Sequence, residues 1–276
     1  MKDLLKKSSA YWVKYDKYEW KHDYLMPAKN ATPSLYNPFK SMESIVVDAL
    51  NIGRLCMKKD INNRILKAKI QKFACKYGLL GLMTALPTTV NFIDYDTVYI
   101  PKNRFINRET IKTDYYLKFF FPFSTPDRAL NIENDNTLMA IIMTLSDNPL
   151  AVNMSFQRDY GERFDWLKTQ FSDLAFMFAT SNLYYEDFEY LSPDEKELYR
   201  QSMITCDLLT PTYHIELLDK PTLVWDFHSL LLVMQMMFSF LLTDENSGLK
   251  LCRKCTKAFV SENNGELYCK KCKEKI

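Results

Sequence analysis

Glycine is scarce in this chain, at six of 276 residues. Glycine takes positive φ without steric cost and lets backbones approach closely. Its scarcity argues against an all-β sandwich or barrel with many tight turns, and against a glycine-cradled nucleotide site. Charge of one sign is lacking too: 36 Lys and Arg against 34 Asp and Glu leave a net +2, so no global polycation argument for nucleic acid applies. The run read most easily as a membrane span, residues 227–242 (FHSLLLVMQMMFSFLL), stops at 16 residues, where a bilayer core needs about 20. It reads instead as a central buried helix, and no membrane association is expected. Residues 1–7 (MKDLLKK) show no apolar segment of signal-peptide length, so a cytoplasmic location is expected. Internal repeats of 20–50 residues, low-complexity tracts, nucleotide fingerprints and nucleophile motifs are absent as well.

What is present is apolar and aromatic: 47% of residues are hydrophobic and 14% are Phe, Tyr or Trp, which excludes a disordered chain. Several windows have helical periodicity. In residues 41–57, Met42, Ile45, Val46, Ala49 and Ile52 recur at three- and four-residue spacing behind Ser41. In residues 61–82, Ile61, Ile65, Ile70, Phe73, Ala74 and Tyr77 form a stripe with Gly78 as C-cap. Residues 158–181 predict a longer helix, and Ser192-Pro193-Asp194-Glu195 predicts the start of another. Ahead of the C-terminal cysteines, extended structure is expected at residues 90–106 and 149–156. In the first forty residues Tyr11, Trp12, Tyr15, Tyr18, Trp20 and Tyr24 alternate with lysines before Pro27, Pro33 and Pro38. Tyr11, Tyr15 and Tyr18 share a helical face and read as core, although aromatics beside lysines also suit base stacking. The expected fold is mainly α with minor β: an aromatic, basic segment (1–40) packed on a helical bundle-like domain (41–242), then a four-cysteine zinc ribbon (249–276).

The strongest motif is at the C-terminal end. Cys252-x2-Cys255 and Cys269-x2-Cys272 lie 13 residues apart, and four thiolates at this spacing suit a tetrahedral, structural zinc site with no open position. Residues 258–260 and 267–268 are expected to pair as strands across Asn264-Gly265. Cys56, Cys75 and Cys206 read as small buried hydrophobes. Local charge is uneven: residues 58–76 carry seven basic residues against one acidic, and residues 249–276 carry eight against three. Arg253, Lys254, Lys257, Lys270 and Lys271 surround the ligands and suit contacts with nucleic-acid phosphates. The same lysines also suit a solubilising cap or a protein-contact module. A weaker set, His214, Glu216, Asp219, Asp226 and His228, has side chains able to bind a metal or to act as acid and base.

The apolar helix, the polar linker 243–248, and then Gly248-Leu249-Lys250-Leu251-Cys252-Arg253-Lys254-Cys255-Thr256-Lys257-Ala258-Phe259 with Tyr268-Cys269 resemble the C-terminal end of bacterial regulators of the CGNR zinc-finger type. In those proteins a helical domain called ABATE precedes the finger. The resemblance covers about the last 50 residues, and the remainder is similar to uncharacterised bacterial proteins. It implies a cytoplasmic, mainly helical bacterial protein that regulates transcription through a DNA-binding finger. Three functions are therefore expected in descending order. The first is a nucleic-acid-binding regulator, the second a protein-interaction or defence-type effector whose ribbon contacts protein, and the third an enzyme using His214, Glu216, Asp226 and His228.

Overall fold

A computed structural model describes residues 5, 7–81, 97–100, 109–112, 115–116, 118–121, 158, 160–204, 212–226, 229–243, 248–261 and 266–275. In chain order the first elements are β1 (Ser9–Ala10), β2 (Trp12–Tyr15), β3 (Tyr18–Lys21), β4 (Tyr24–Pro27), β5 (Pro33–Tyr36), α1 (Met42–Cys56), α2 (Asn63–Tyr77), β6 (Thr97–Ile100) and β7 (Glu109–Lys112). There follow β8 (Phe120–Phe121), β9 (Gly161–Arg163), α3 (Phe164–Glu186), α4 (Pro193–Ile204), β10 (Thr212–Leu217), β11 (Pro221–Asp226) and α5 (Leu230–Thr243). The last are β12 (Leu249–Leu251), β13 (Ala258–Val260) and the short α6 (Lys270–Lys273).

Thirteen strands in five sheets among the described residues correct the mainly α expectation: helices and sheets share the fold. Glycine scarcity misleads because the turns use other residues. The β3–β4 hairpin turns through His22 and Asp23 at φ 45° and 73°, with Lys21 opposite Tyr24. Positive φ at both positions is what a two-residue hairpin requires, and His and Asp tolerate it better than most residues. β9 and β8 extend this hairpin to a sheet of order β3-β4-β9-β8, while β2 pairs with β5. β1 runs parallel to β11, which pairs antiparallel with β10. Tyr15 and Tyr18 are buried, yet they belong to strands and meet edge-to-face at 6.1 Å, so the stripe read as helical is not one. Of the expected extended runs, 90–106 contains β6, and 149–156 lies outside the described residues.

The helices follow their apolar periodicity. Met42, Ile45, Val46, Ala49 and Ile52 are all buried on α1. Ser41 makes no side-chain cap; Ser44 Oγ instead donates to the Ser41 carbonyl at 2.9 Å. On α2 the buried residue is Leu66 rather than Ile65, which is half exposed; Asn62 caps the start and Gly78, at φ 94°, receives the end. At α4, Glu195 accepts from Ser192 N–H at 2.8 Å and Glu195 N–H donates to Ser192 Oγ, a reciprocal cap. α1 packs chiefly on α3, and also on α2 and α5. Gly53 makes the α1–α3 approach possible, because a Cβ there would stand 1.8 Å from the Phe171 carbonyl oxygen. α5 begins at Leu230, with Ser229 at its start: Ser229 Oγ accepts from Leu231 N–H at 3.2 Å. Leu230, Leu231, Val233, Met234, Met237, Phe238 and Leu241 are buried along it, each side chain contributing about 1.5–3 kcal/mol through burial. No helix among the described residues is long and apolar enough to cross a membrane.

One carboxylate sits in this core. Glu162 on β9 is fully buried and accepts from Leu80 N–H at 3.0 Å, from Gly81 N–H and from the Tyr160 hydroxyl at 3.0 Å. The Leu79 and Leu80 carbonyls are taken by Trp12 Nε1 (3.2 Å), Ser229 Oγ (2.8 Å) and Leu231 N–H (3.0 Å). The residues after α2 are thus tied to β2, β9 and α5. Burial pushes the Glu162 carboxyl up to about 7, against the three donors that favour its ionised form.

Candidate metal centre

The first cysteine pair lies in a turn between adjacent strands. β12 and β13 pair antiparallel, with Leu251 opposite Ala258, and the chain reverses through Cys252-Arg253-Lys254-Cys255-Thr256-Lys257. Cys252 N–H donates to the Lys257 carbonyl at 2.9 Å and Thr256 N–H to the Cys252 carbonyl at 2.8 Å. Thr256 stands at φ 56°, an unfavourable region for a β-branched residue, held by those closing bonds. This arrangement corrects the expected pairing of residues 258–260 with 267–268. The cysteine turn itself reverses the chain, so β13 meets its immediate sequence neighbour β12, at a lower loop-closure cost than pairing across the longer connection. Asn264-Gly265 lies outside the described residues.

The second pair straddles the start of α6. Cys272 N–H and Lys273 N–H both donate to the Cys269 carbonyl, at 2.8 and 3.0 Å. Arg253 N–H donates to the Leu267 carbonyl at 3.0 Å and joins the two halves. All four sulfurs lie within 4.8 Å of one another, and none is in a disulfide. The Cys255 and Cys269 sulfurs are 3.7 Å apart. The group can hold a metal ion, as its sequence spacing predicts.

The thiols differ in acidity. Burial raises Cys252, but N–H groups of Cys269, Cys255 and Lys254 outweigh it and bring its pKa down to about 6. Cys272 is pushed up to about 12, by burial and by hydrogen bonds with the Cys255, Cys269 and Cys252 sulfurs. Once one sulfur is a thiolate, each further deprotonation meets a like charge, and a bound cation is what allows all four to ionise.

The module is seated on the body through α1. Asn51 of α1 makes a two-bond clamp on β13, its Nδ2 donating to the Ala258 carbonyl at 2.9 Å and its Oδ1 accepting from Ala258 N–H at 3.0 Å. Ser261 N–H donates to the Gly248 carbonyl at 2.7 Å and closes the strand pair. Sequence reasoning missed Asn51: its partner is 207 residues away, and no local pattern marks it. Arg253, Lys254, Lys257, Lys270 and Lys271 are all exposed around the sulfurs. Lys273 pairs with Glu266, and Lys254 Nζ lies 3.4 Å from the Lys275 carbonyl oxygen.

The weaker set does not assemble among the described residues. His214 and Glu216 alternate on one face of β10, opposite Val224 and Thr222, and Asp219 is in the exposed turn. The Tyr11 hydroxyl is hydrogen-bonded to Glu216, which with burial raises the tyrosine pKa. Asp226 closes β11, His228 lies outside the described residues, and the only metal-binding group among the described residues is the cysteine one. Cys56 is buried, its thiol pushed up to about 12 by burial, Cys75 is half-buried, and Cys206 lies outside the described residues. No family model, no curated protein and no solved structure matches the chain.

Proposed function

We propose that the four cysteines hold one structural zinc ion and that the module they form binds nucleic acid through phosphates, as a regulator's finger does. Zinc suits the sulfur geometry. Four sulfurs at about 2.3 Å from a shared tetrahedral centre stand about 3.8 Å from one another, beside the 3.7 Å between Cys255 and Cys269. Four protein thiolates leave no open coordination position, so the ion's contribution is cross-linking and folding energy rather than catalysis.

The observation that carries the nucleic-acid reading is the ring of exposed cations around the sulfurs. Among the described residues Arg253, Lys257, Lys270 and Lys271 have no acidic partner. The resemblance of residues 248–259 to the CGNR finger supports the same reading. A short hairpin and a four-residue helix offer few side chains to base edges, so contacts fall on phosphates and sequence preference is small. The test is oligonucleotide binding by the zinc-loaded protein across a salt series. Affinity is expected to fall steeply with salt, by a log–log slope of about 0.7–0.9 for each phosphate neutralised. Replacing Lys254, Lys257, Lys270 and Lys271 with Glu is expected to abolish binding with zinc content unchanged. Wild-type protein that fails to bind at low salt overturns the reading and leaves contact with protein as the role of the module.

A further inference from the structure

Two basic stretches that are separate in sequence, residues 58–76 and the cysteine module, meet in the fold. α2 presents Lys69, Lys72 and Lys76 at positions i, i+3 and i+7, one face of a helix. α1 contributes Arg54, and the Asn51 clamp on Ala258 holds the preceding residue, Lys257, beside them. These five cations line a cavity of about 360 Å3 together with Ile52, Leu55 and Phe73. Asp48 is the one carboxylate in the lining, and it is already engaged by Lys76 Nζ at 2.9 Å and the Tyr77 hydroxyl at 2.8 Å.

The remaining charge is not neutralised. Among the described residues Arg54, Lys69, Lys72 and Lys257 have no acidic partner, and Arg54 Nε is buried without any hydrogen-bond partner. Five cations against one carboxylate leave the lining at +4. An ordinary solvated helix face is convex and sends its lysines apart into water. Here cations from three elements border one concavity with an apolar part to its wall, which focuses the field and favours an anion of high charge. Phe73 is buried and offers no free ring for stacking a base, so recognition falls on phosphate oxygens.

We infer that Arg54, Lys69, Lys72, Lys76 and Lys257 form a phosphate-binding pocket at the seam between the body and the cysteine module. Arg54 brings a planar fork for two oxygens, the α2 lysines act as point charges, and Lys257 closes the pocket from the module side. The polyphosphate chemistry has two sources, a free polyphosphorylated molecule and the backbone of a nucleic acid. Lys257 is shared with the nucleic-acid face proposed above, yet the other four residues belong to the body, so the pocket does not depend on that reading.

The experiment titrates the full, zinc-loaded chain with inorganic tripolyphosphate by calorimetry and with a labelled oligonucleotide by anisotropy. It compares wild type, Lys69→Glu/Lys72→Glu and Lys270→Glu/Lys271→Glu. Lys69 and Lys72 are exposed, and circular dichroism checks that the fold is kept; Lys72→Gln serves as a milder variant with a smaller loss. Tripolyphosphate is expected to bind wild type in a salt-dependent way, at least tenfold more weakly to Lys69→Glu/Lys72→Glu, and equally well to Lys270→Glu/Lys271→Glu. No binding at low salt, or equal binding to wild type and the α2 variant, overturns the pocket. Oligonucleotide affinity that falls with the α2 variant supports the pocket with a polymer backbone as its source. Unchanged oligonucleotide affinity alongside lost tripolyphosphate binding supports it with a free polyphosphate as its source. Tripolyphosphate binding as expected with no oligonucleotide binding at all supports the pocket while the nucleic-acid reading falls.

Discussion

The body and the cysteine module solve the cost of chain ordering differently. Around α1, α3 and α5 the body buries a continuous apolar and aromatic core, including Trp12, Phe39, Phe171, Phe178 and Phe238. The cysteine module has little of this. Among its described residues only Gly248, Cys252, Ala258 and Ser261 are buried, Leu249 and Leu251 pack partly on the body, and Leu267 is 42% exposed. So small a unit is short of apolar area to offset its ordering entropy, and an ion held by the four sulfurs would supply what burial does not. The body should therefore be sensitive to charge in its core and indifferent to chelators, and the module the reverse.

The sharpest break is in the body. Leu231 is 1% exposed on α5, and Leu231→Asp places an unpaired carboxylate there at several kcal/mol, comparable with a total stability of about 5–15 kcal/mol. Loss of the cooperative thermal transition is expected, and a variant that melts like wild type would refute the assignment of α5 to the core. Next comes the module. Cys269→Ser, or chelation of the wild-type protein, is expected to remove amide protection from residues 249–261 and 266–275 and leave α1, α3 and α5 protected, read by hydrogen exchange. Uniform loss across the chain would mean that the two regions do not differ in this way.

The buried Glu162 gives a pH signature that belongs to the body alone. Its carboxyl is raised from 4.5 to about 7, so the folded chain binds the extra proton. The resulting stability is fully present below about pH 4.5 and is lost as pH rises toward 7, by up to about 3 kcal/mol. Glu162→Gln is expected to flatten the dependence of melting temperature on pH between 5 and 8, and an unchanged slope would remove Glu162 as its source. The smallest effect is at the seam. Asn51→Ala leaves the Ala258 N–H and carbonyl without their partners, at about 1–3 kcal/mol. Faster exchange confined to β12 and β13, with the melting of the body unchanged, is the expected reading.

The same contrast explains what the sequence could disclose. Helices declare themselves through spacing: the α1 stripe and the Ser192–Glu195 cap appear in the structure as their residues suggest. The four cysteines do so as well, because metal-ligand spacing is local. The strands of the first forty residues do not, since they are four residues long or shorter and turn through His22-Asp23 instead of glycine. The partner of β1 is more than 200 residues away on β11. Glu162 carries no local signal of burial in the sequence, and only Leu80, Gly81 and Tyr160 around it show that it is buried. Asn51 and Arg54 carry no signal of their own, because each acquires its role from a module joined to α1 by folding rather than by sequence proximity.

The most direct test of this account is the metal content and sulfur coordination of the purified full chain, by elemental analysis with zinc-edge X-ray absorption. The account predicts one zinc per chain with four sulfur neighbours at about 2.3 Å, lost together with module protection in Cys269→Ser. A chain without zinc, or one whose Cys252, Cys255, Cys269 and Cys272 are paired as disulfides, would contradict it.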